Sequence, residues 1–264
     1  MKKFRFSRKI LGIPYAAFLF VFVAAPLAVL FYYAFTDGNG NPTFSNLVGF
    51  FANANTLGTL FYSFAVALVT TAVCLLIAYP TAYILANSRL KNRSALLLLF
   101  IMPMWINFSL RITALKEILT VIEGNLSFYP FLNAVVGMSY DFLPFMILPV
   151  YNAVTDLKDD VIEAARDLGA PPKAVLTRIM IPLTKPGIIS GITMVFVPSL
   201  TAFAIPDILG GGKVMLIGNI IEQEFSTSMN WHLGSGLSIA LMIFVLISMI
   251  FTSNEEEGKE RRAW

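Results

Sequence analysis

The ionisable residues inside apolar segments are where the chemistry of this chain should be sought. Asp141 follows Tyr140 within a long apolar stretch, and an ionisable residue in a membrane helix is by default a functional hypothesis. An equal alternative is that Asp141 lies near the outer third of its span, hydrated or paired with Arg111. We expect Arg111 itself to pair with a carboxylate or to mark the outer boundary. Tyr140 and Asp141 are therefore candidates for lining a solute path.

A second group of candidates lies where apolar segments are interrupted or end. Pro103 predicts a kink, which frees backbone polar groups that must be satisfied within protein or in a wet cavity. Trp105 and Asn107 follow this proline, and Asp207 follows Pro206 at the end of another apolar stretch. Trp105 could equally be an aromatic anchor at the membrane interface. We include Trp105, Asn107 and Asp207 in the candidate path.

Enzymatic chemistry finds little support in the sequence. The only histidine, His232, stands three residues before Ser235, and without a second base or a metal cluster this pair makes a weak hydrolase site. The glycine run ending at Lys213 is not a phosphate-binding loop, because Val214 stands where Ser or Thr is required and no glycine lies five positions before the last glycine. We predict no catalytic residue, metal site or cofactor in this chain.

The elements that position these residues are predicted to be membrane helices. Of the 264 residues, 57% are hydrophobic and 13% are charged, which is far more apolar than an ordinary soluble domain. A bilayer core needs about 20 mainly apolar residues per helix. We predict an all-α polytopic membrane protein, a single transmembrane domain over residues 1–264 with six helices. They cover roughly Leu11 to Phe35, Thr59 to Ala86, Ala95 to Thr113, Leu132 to Asn152, Gly187 to Asp207 and Gly234 to Thr252.

Lysine and arginine residues collect on one side of these spans. They cluster before the first span and after the second, fourth and sixth spans, and only Arg111, Lys116 and Lys213 remain for the other side. Because cytoplasmic loops carry the excess of positive charge, both termini are predicted to be cytoplasmic. The net charge of +3 then reflects topology and gives no reason to expect nucleic acid. A cleaved signal peptide is disfavoured, since the first apolar run is too long for one.

The inward connection between the fourth and fifth spans, residues 153–186, changes from apolar to mixed and charged. Acidic residues open a helical pattern, where the helix dipole favours negative charge. Gly169 supplies a left-handed turn, and Pro171 suits the first turn of a second helix. We predict a helix, a glycine turn and a second helix at the cytoplasmic face. The apolar residues at helical spacing on one side of the first helix are Val161, Ala164, Ala165 and Leu168.

Residues of this connection follow a fixed pattern: Glu163-Ala164-Ala165, three residues, Gly169, nine residues, and then Ile179-Met180-Ile181-Pro182. The pattern resembles the EAA loop of binding-protein-dependent ABC-importer permeases, with Ile181 in place of the usual leucine. The alternative is an ordinary amphipathic interfacial helix. In that family the loop forms a coupling helix that docks into a groove of the ATP-binding subunit. The resemblance implies an ATPase-coupling role for Glu163, Ala164, Ala165, Arg166, Gly169 and Pro182.

Four stretches, within residues 103–116, 143–149, 163–189 (the EAA segment and its continuation) and 207–219, resemble the polyamine branch of this family, and the resemblance covers nearly the whole chain. It implies spermidine or putrescine as the substrate, although related permeases carry other small solutes. A polyamine is a flexible polycation, so its path should offer carboxylates and aromatic faces. The candidate path residues are Trp105, Asn107, Tyr140, Asp141 and Asp207.

The resemblance also implies an assembly in a bacterial cytoplasmic (inner) membrane. Its expected members are two copies of an ATP-binding subunit, a second homologous permease subunit, an extracytoplasmic polyamine-binding protein and membrane lipid. Closure of the ATPases would move residues 163–169 and rock the spans between outward and inward access. A secondary transporter is the less favoured rival, since it would need internal repeats or a coupling-ion site.

Overall fold

The computed structural model describes residues 8–87, 93–157 and 159–260, and within these ranges the chain forms helices and no β-strand. The cations at positions 2, 3, 5, 89, 91, 158, 261 and 262, on which the predicted orientation partly depends, lie outside the described residues. The α-helices of the described chain are α1 Arg8–Leu19, α2 Ala25–Ala34, α3 Ser45–Ala52, α4 Ala54–Asn87, α5 Arg93–Ile101, α6 Phe108–Glu123, α7 Pro130–Thr155, α8 Asp159–Asp167, α9 Pro172–Val175, α10 Ile181–Leu183, α11 Lys185–Thr201, α12 Ala204–Leu209, α13 Ile217–Ser226 and α14 Trp231–Glu260.

Long apolar helices dominate the described chain. Four segments are long and apolar enough to cross a membrane: Pro14–Ala34, Ala54–Ala86, Pro130–Thr155 and Trp231–Met249. Two further spans arise if each of two bent helix pairs counts as one, which gives up to six. The prediction of an all-α polytopic membrane protein is confirmed.

The third predicted span, Ala95 to Thr113, is not one straight helix. Ala95–Trp105 and Phe108–Glu123 meet at 97°, so the kink expected at Pro103 is a full break. Its cause is local, because Pro103 lies in a 3₁₀ turn, Met102–Trp105, and Asn107 then starts a new helix. The Asn107 side chain caps α6 by accepting hydrogen bonds from the backbone N–H groups of Ser109 and Leu110.

The fifth predicted span, Gly187 to Asp207, also ends earlier than expected. Helix α11 stops at Thr201, since Ala202 has an extended backbone with φ −61° and ψ 140°. The freed backbone finds new partners there: the Asn219 side chain donates to the Phe203 carbonyl oxygen at 2.9 Å. Asp207 therefore belongs to the separate short helix α12.

Two compact units can be distinguished, and the prediction of a single transmembrane domain remains a prediction. One unit comprises the chain up to Leu57 together with Ile221–Phe244. Inside it, the Asn46 side chain donates to the carbonyl oxygens of Ala34 and Thr36 at 3.1 and 2.9 Å. These bonds satisfy acceptors left unpaired where α2 ends.

The other unit comprises Gly58–Ile220 together with the chain from Val245. Its centre is the packing of α7 against α11. A Cβ atom on Gly187 would meet the Pro149 carbonyl oxygen at 2.6 Å, and one on Gly191 would meet the Met146 sulfur at 2.6 Å. The two glycines, four residues apart, therefore let the two backbones approach more closely than side chains would allow.

Candidate coupling loop and substrate path

The helix and the glycine turn predicted within residues 153–186, the candidate coupling loop, are confirmed. Helix α8 ends in a Schellman motif, in which the N–H of Gly169 donates to the Arg166 carbonyl oxygen at 2.9 Å and that of Ala170 to Ala165 at 3.0 Å. Gly169 has φ +81°, and apart from its two chain neighbours no described residue has an atom within 4 Å of where its Cβ would be. Glycine is required here for its backbone conformation and not for space.

The buried side of α8 differs from the predicted one. Ile162 and Ala165 are buried in an apolar cluster that also includes residues of α4 and α7. Of the four apolar residues predicted to share one side, only Ala165 is buried, whereas Val161 and Leu168 are 42% and 89% exposed. Because the helix has 3.6 residues per turn, the buried stripe, Ile162 and Ala165, is rotated around the helix axis from the predicted stripe, and the two share only Ala165. The rest of the circumference of α8 is exposed, and we call it the outer face of α8; its residues include Val161, Glu163, Ala164, Arg166 and Leu168.

The predicted second helix forms, but in three pieces. Helix α9 passes into a π-helical turn, Leu176–Met180, and then into α10, where Pro182 is exposed. The N–H of Ile181 reaches back five residues to the Leu176 carbonyl oxygen, which widens the helix just before the proline that lacks an N–H. The segments before and after Thr184 meet at 68°.

Thr184 stabilises the bend between α10 and α11. Its side chain is fully buried, and its hydroxyl lies 2.8 Å from the Met180 carbonyl oxygen and 3.2 Å from the Tyr79 hydroxyl. The bend is therefore connected both to the candidate coupling loop, through Met180, and to α4, through Tyr79. Our sequence reading missed Thr184 and Tyr79 as functional candidates, because nothing in their local sequence shows that they meet.

A cavity of about 380 Å³ lies where the loop meets α4. Its walls are mainly aromatic and aliphatic, and its charged lining residues are Arg166 and Lys173. Both charged residues are also exposed. Arg166 is thus shared by the outer face of α8 and by this cavity.

The candidate path residues Tyr140 and Asp141 meet Arg111. The guanidinium Nη2 of Arg111 forms an ion pair with Oδ1 of Asp141, and both residues are buried. The same guanidinium lies 5.7 Å from the centre of the Tyr140 ring, within cation–π range. Pairing with Arg111 was the alternative for Asp141. However, Asp141 lies near the middle of α7 and not in its outer third.

The other candidate path residues are distributed along the two broken spans. The N–H of Arg111 donates to the Asn107 carbonyl oxygen at 3.1 Å, so Asn107 belongs to the same helical turn as Arg111. Trp105 stands at the break and is 76% exposed. Asp207 is exposed in α12. The structure brings Tyr140 and Asp141 to Arg111 in the first turn of α6, which Asn107 caps. Trp105 and Asp207 are exposed and have no such contact among the described residues.

The glycine run and the histidine have structural partners. Gly211 and Gly212 have φ of +58° and +73°, and the Ser127 hydroxyl donates to the Gly211 carbonyl oxygen at 3.2 Å. The ammonium of Lys213 donates to the Ser127 carbonyl oxygen at 3.1 Å. His232 Nδ1 lies 3.1 Å from the Tyr33 carbonyl oxygen, while Ser235 is buried. These contacts build a turn and a helix junction.

Apolar helices, some of them broken, with a helix, a glycine turn and a second helix between two candidate spans define a polytopic membrane protein. Residues 78–254 match the family described as binding-protein-dependent transport system inner membrane component. The chain belongs to this family.

Relatives at the sequence level are permeases. The chain is 38% identical over 203 residues to the spermidine/putrescine transport system permease protein PotB of Haemophilus influenzae, covering 71% of each chain. It is 37% identical over 206 residues to PotB of Escherichia coli, covering 72% of this chain and 74% of that protein. A PotB homolog of Mycoplasma pneumoniae is 32% identical over 192 residues, which is 66% of this chain and 65% of the homolog.

The fold resembles that of two solved structures. A bacterial ABC transporter involved in the import of the acidic polysaccharide alginate matches with a TM-score of 0.65 and 16% identity, covering 94% of both chains. A bacterial alginate ABC transporter in complex with an alginate pentasaccharide-bound periplasmic protein matches with a TM-score of 0.69 and 16% identity, covering 92% of this chain and 91% of that one. At this identity the likeness establishes the fold alone.

Proposed function

We propose that this chain is the transmembrane permease subunit of an ATP-driven importer of polyamines such as spermidine and putrescine. The observation that carries the proposal is the exposed outer face of α8, which ends at the left-handed Gly169, in a chain 38% identical to a spermidine/putrescine permease. The relatives support the substrate class, and the loop geometry supports the coupling role. Glu163, Ala164, Ala165, Arg166, Gly169 and Pro182 form the coupling segment in this proposal.

The outer face of α8 has the properties of a docking surface for an ATP-binding subunit. Leu168 exposes 89% of an apolar side chain, and the charged residues Glu163 and Arg166 are exposed elsewhere on the outer face. A partner that covers Leu168 gains apolar burial, and the two charges set orientation and specificity. Small Ala164 permits close approach.

The opposite side of α8 supplies the route by which motion enters the membrane helices. Ile162 and Ala165 pack in the same cluster as Leu85 of α4 and Val154 of α7. A displacement of α8 therefore acts directly on the inner ends of two long helices. The second route runs through α9 and α10 to the bend at Thr184, where α11 begins.

The proposed assembly contains two copies of the ATP-binding subunit, a second homologous permease and an extracytoplasmic polyamine-binding protein, in a bacterial cytoplasmic membrane with both termini inside. The chain would bind no cofactor and catalyse no reaction itself. Trp105, Asn107, Tyr140, Asp141 and Asp207 are proposed to line the substrate path. Tyr140 is 40% exposed, so its ring is accessible to a passing cation.

The test is ATP-dependent uptake of labelled spermidine by cells deleted for this chain and restored with the native sequence, Gly169→Asp or Gly40→Asp. Gly40 also has φ +81° and no close contact at its Cβ position, so it is a matched control for backbone strain. We expect uptake with the native chain and with Gly40→Asp, and a loss with Gly169→Asp at equal expression, because only there is the new carboxylate placed in the proposed docking surface. Absence of spermidine uptake with the native chain would overturn the substrate, and uptake by Gly169→Asp would overturn the coupling role.

A further inference from the structure

The contacts of Arg111 are those that an organic ammonium ion would make. Its guanidinium touches a carboxylate, Asp141, and lies over an aromatic face, Tyr140. A carboxylate with an aromatic face is the combination that recognises alkylammonium groups in low-dielectric sites. A cation from the chain itself thus occupies a place suited to a cationic substrate.

Arg111 is incompletely satisfied in this place. Its side chain is 8% exposed, and its Nε and Nη1 atoms are buried without an acceptor among the described residues. Buried donors without partners are unfavourable, and a buried charge is costly even when paired. The guanidinium therefore does not hold this position as strongly as a fully hydrogen-bonded ion pair would.

The geometry also allows Arg111 to leave. Arg111 lies in the first turn of α6, directly after the 97° break, whereas Tyr140 and Asp141 lie near the middle of α7. A rotation of the long arginine side chain, or a change in the angle between α6 and α7, separates the cation from both partners. Asp141 and Tyr140 would then face an incoming cation together.

We propose that Tyr140 and Asp141 form a cation subsite which Arg111 occupies in this conformation, and that an ammonium group of the transported amine replaces the guanidinium during transport. The inference rests on the proposed function. Competition by Arg111 weakens amine binding and so prevents the amine from being trapped in the path. Arg111 is in this sense a specificity-determining residue, because only a cation can exchange with it.

The direct test is equilibrium binding of labelled spermidine to the purified complex in nanodiscs without the binding protein. Arg111→Gln removes the competitor, so we expect spermidine to bind about tenfold more tightly or better. Asp141→Asn removes the carboxylate and should weaken binding by about tenfold or more. The paired variant Arg111→Gln with Asp141→Asn contains no unpaired buried charge, so we expect it to fold normally, as followed by thermal unfolding, and still to bind spermidine weakly.

A purely structural ion pair makes the opposite prediction for these variants. Each single substitution would then weaken binding in step with lost stability, and the paired variant would regain native binding. Either weaker binding by Arg111→Gln or native binding by the paired variant would overturn the subsite. Tyr140→Phe should retain binding and Tyr140→Leu should lose it several-fold, since only the first keeps the ring.

Binding and transport of spermidine by the native complex distinguish a failure of this inference from a failure of the proposed function. If it neither binds nor transports spermidine, the proposed function fails and the subsite with it. If it transports spermidine while the Asp141→Asn complex binds spermidine as the native one does, only the subsite fails.

Discussion

The close packing of α7 against α11 makes a graded prediction for single added methyl groups. In Gly187→Ala the new Cβ would meet the Pro149 carbonyl oxygen at 2.6 Å and also Ala153 Cβ. Ordinary contacts between carbon and oxygen are about 3.3–3.6 Å, so the two backbones must separate by close to 1 Å. Overpacking of this kind costs about 1–3 kcal/mol, and the backbone oxygen cannot rotate away as a side chain could.

Two other glycines calibrate this magnitude. In Gly191→Ala the nearest atom is the Met146 sulfur, also at 2.6 Å, but a methionine side chain adapts, so the loss should be smaller. Gly58 lies in α4 with nothing within 4 Å of its Cβ position. Gly58→Ala should be neutral or stabilising by up to about 1 kcal/mol, because alanine favours helix.

Thermal unfolding of the purified complex, followed by size-exclusion fluorescence, measures this order. With a shift of about 2–4 °C per kcal/mol for a chain of this size, Gly187→Ala should lower the midpoint by several degrees. Gly191→Ala should lower it less, and Gly58→Ala not at all. If Gly187→Ala unfolds at the same temperature as Gly58→Ala, the close approach of α7 and α11 is wrong.

Three further predictions concern the coupling loop, its bend and a surface turn. At Gly169, asparagine tolerates the left-handed backbone and valine does not. The stimulation of ATPase activity by substrate should therefore survive Gly169→Asn and fall with Gly169→Val. Equal stimulation in the two variants would contradict the role of the turn. At the bend, Tyr79→Phe and Thr184→Val each remove one hydroxyl of a shared hydrogen bond, so each should lower the free energy of unfolding by about 0.5–1.5 kcal/mol. In a double-mutant cycle measured by thermal unfolding, the double variant should lose less than the sum of the two, and strict additivity would show that the bond does not form. In the surface turn, hydrogen bonds from the backbone N–H groups of Asn41 and Asn39 lower the pKa of Asp37 from 3.8. The ionised carboxylate therefore stabilises the turn above pH 3.8, and this stabilisation is lost as the pH falls through the folded pKa. Hydrogen exchange at residues 39–41, corrected for its intrinsic pH dependence, should show faster opening of the turn in acid, and Asp37→Asn should show no such transition.

Local signals were sufficient for the coupling loop and for most of the helices. Acidic residues before an apolar stripe, Gly169 and the following prolines are all read within one or two turns of the chain, and the helix, the turn and the second helix follow from them. Local signals failed on which side of α8 is buried. Ile162 and Val161 are both apolar, and only the position of the neighbouring helices decides which one packs inward.

The breaks in the third and fifth spans were predictable only in part. Pro103 marks a kink, yet the 97° bend also needs Asn107 to cap a new helix. The end of α11 at Thr201 depends on Gly218, more than a dozen residues further on, where a Cβ would meet the Ala202 carbonyl oxygen at 2.8 Å. Hydropathy shows how apolar a segment is, but not where a distant backbone forces it to stop.

The sequence by itself determined that this chain is a helical membrane protein and where the helix and glycine turn of its candidate coupling loop lie, because hydropathy and helix caps act between residues a few positions apart. Only the tertiary structure decided that Arg111 occupies the Asp141 and Tyr140 contacts, that Thr184 meets Tyr79, and that Gly187 lies against Pro149. These pairs are separated by about 30 to 105 positions in the chain. Contacts of that kind depend on how whole helices pack, since each involves a side chain or backbone atom whose neighbour is set by another element.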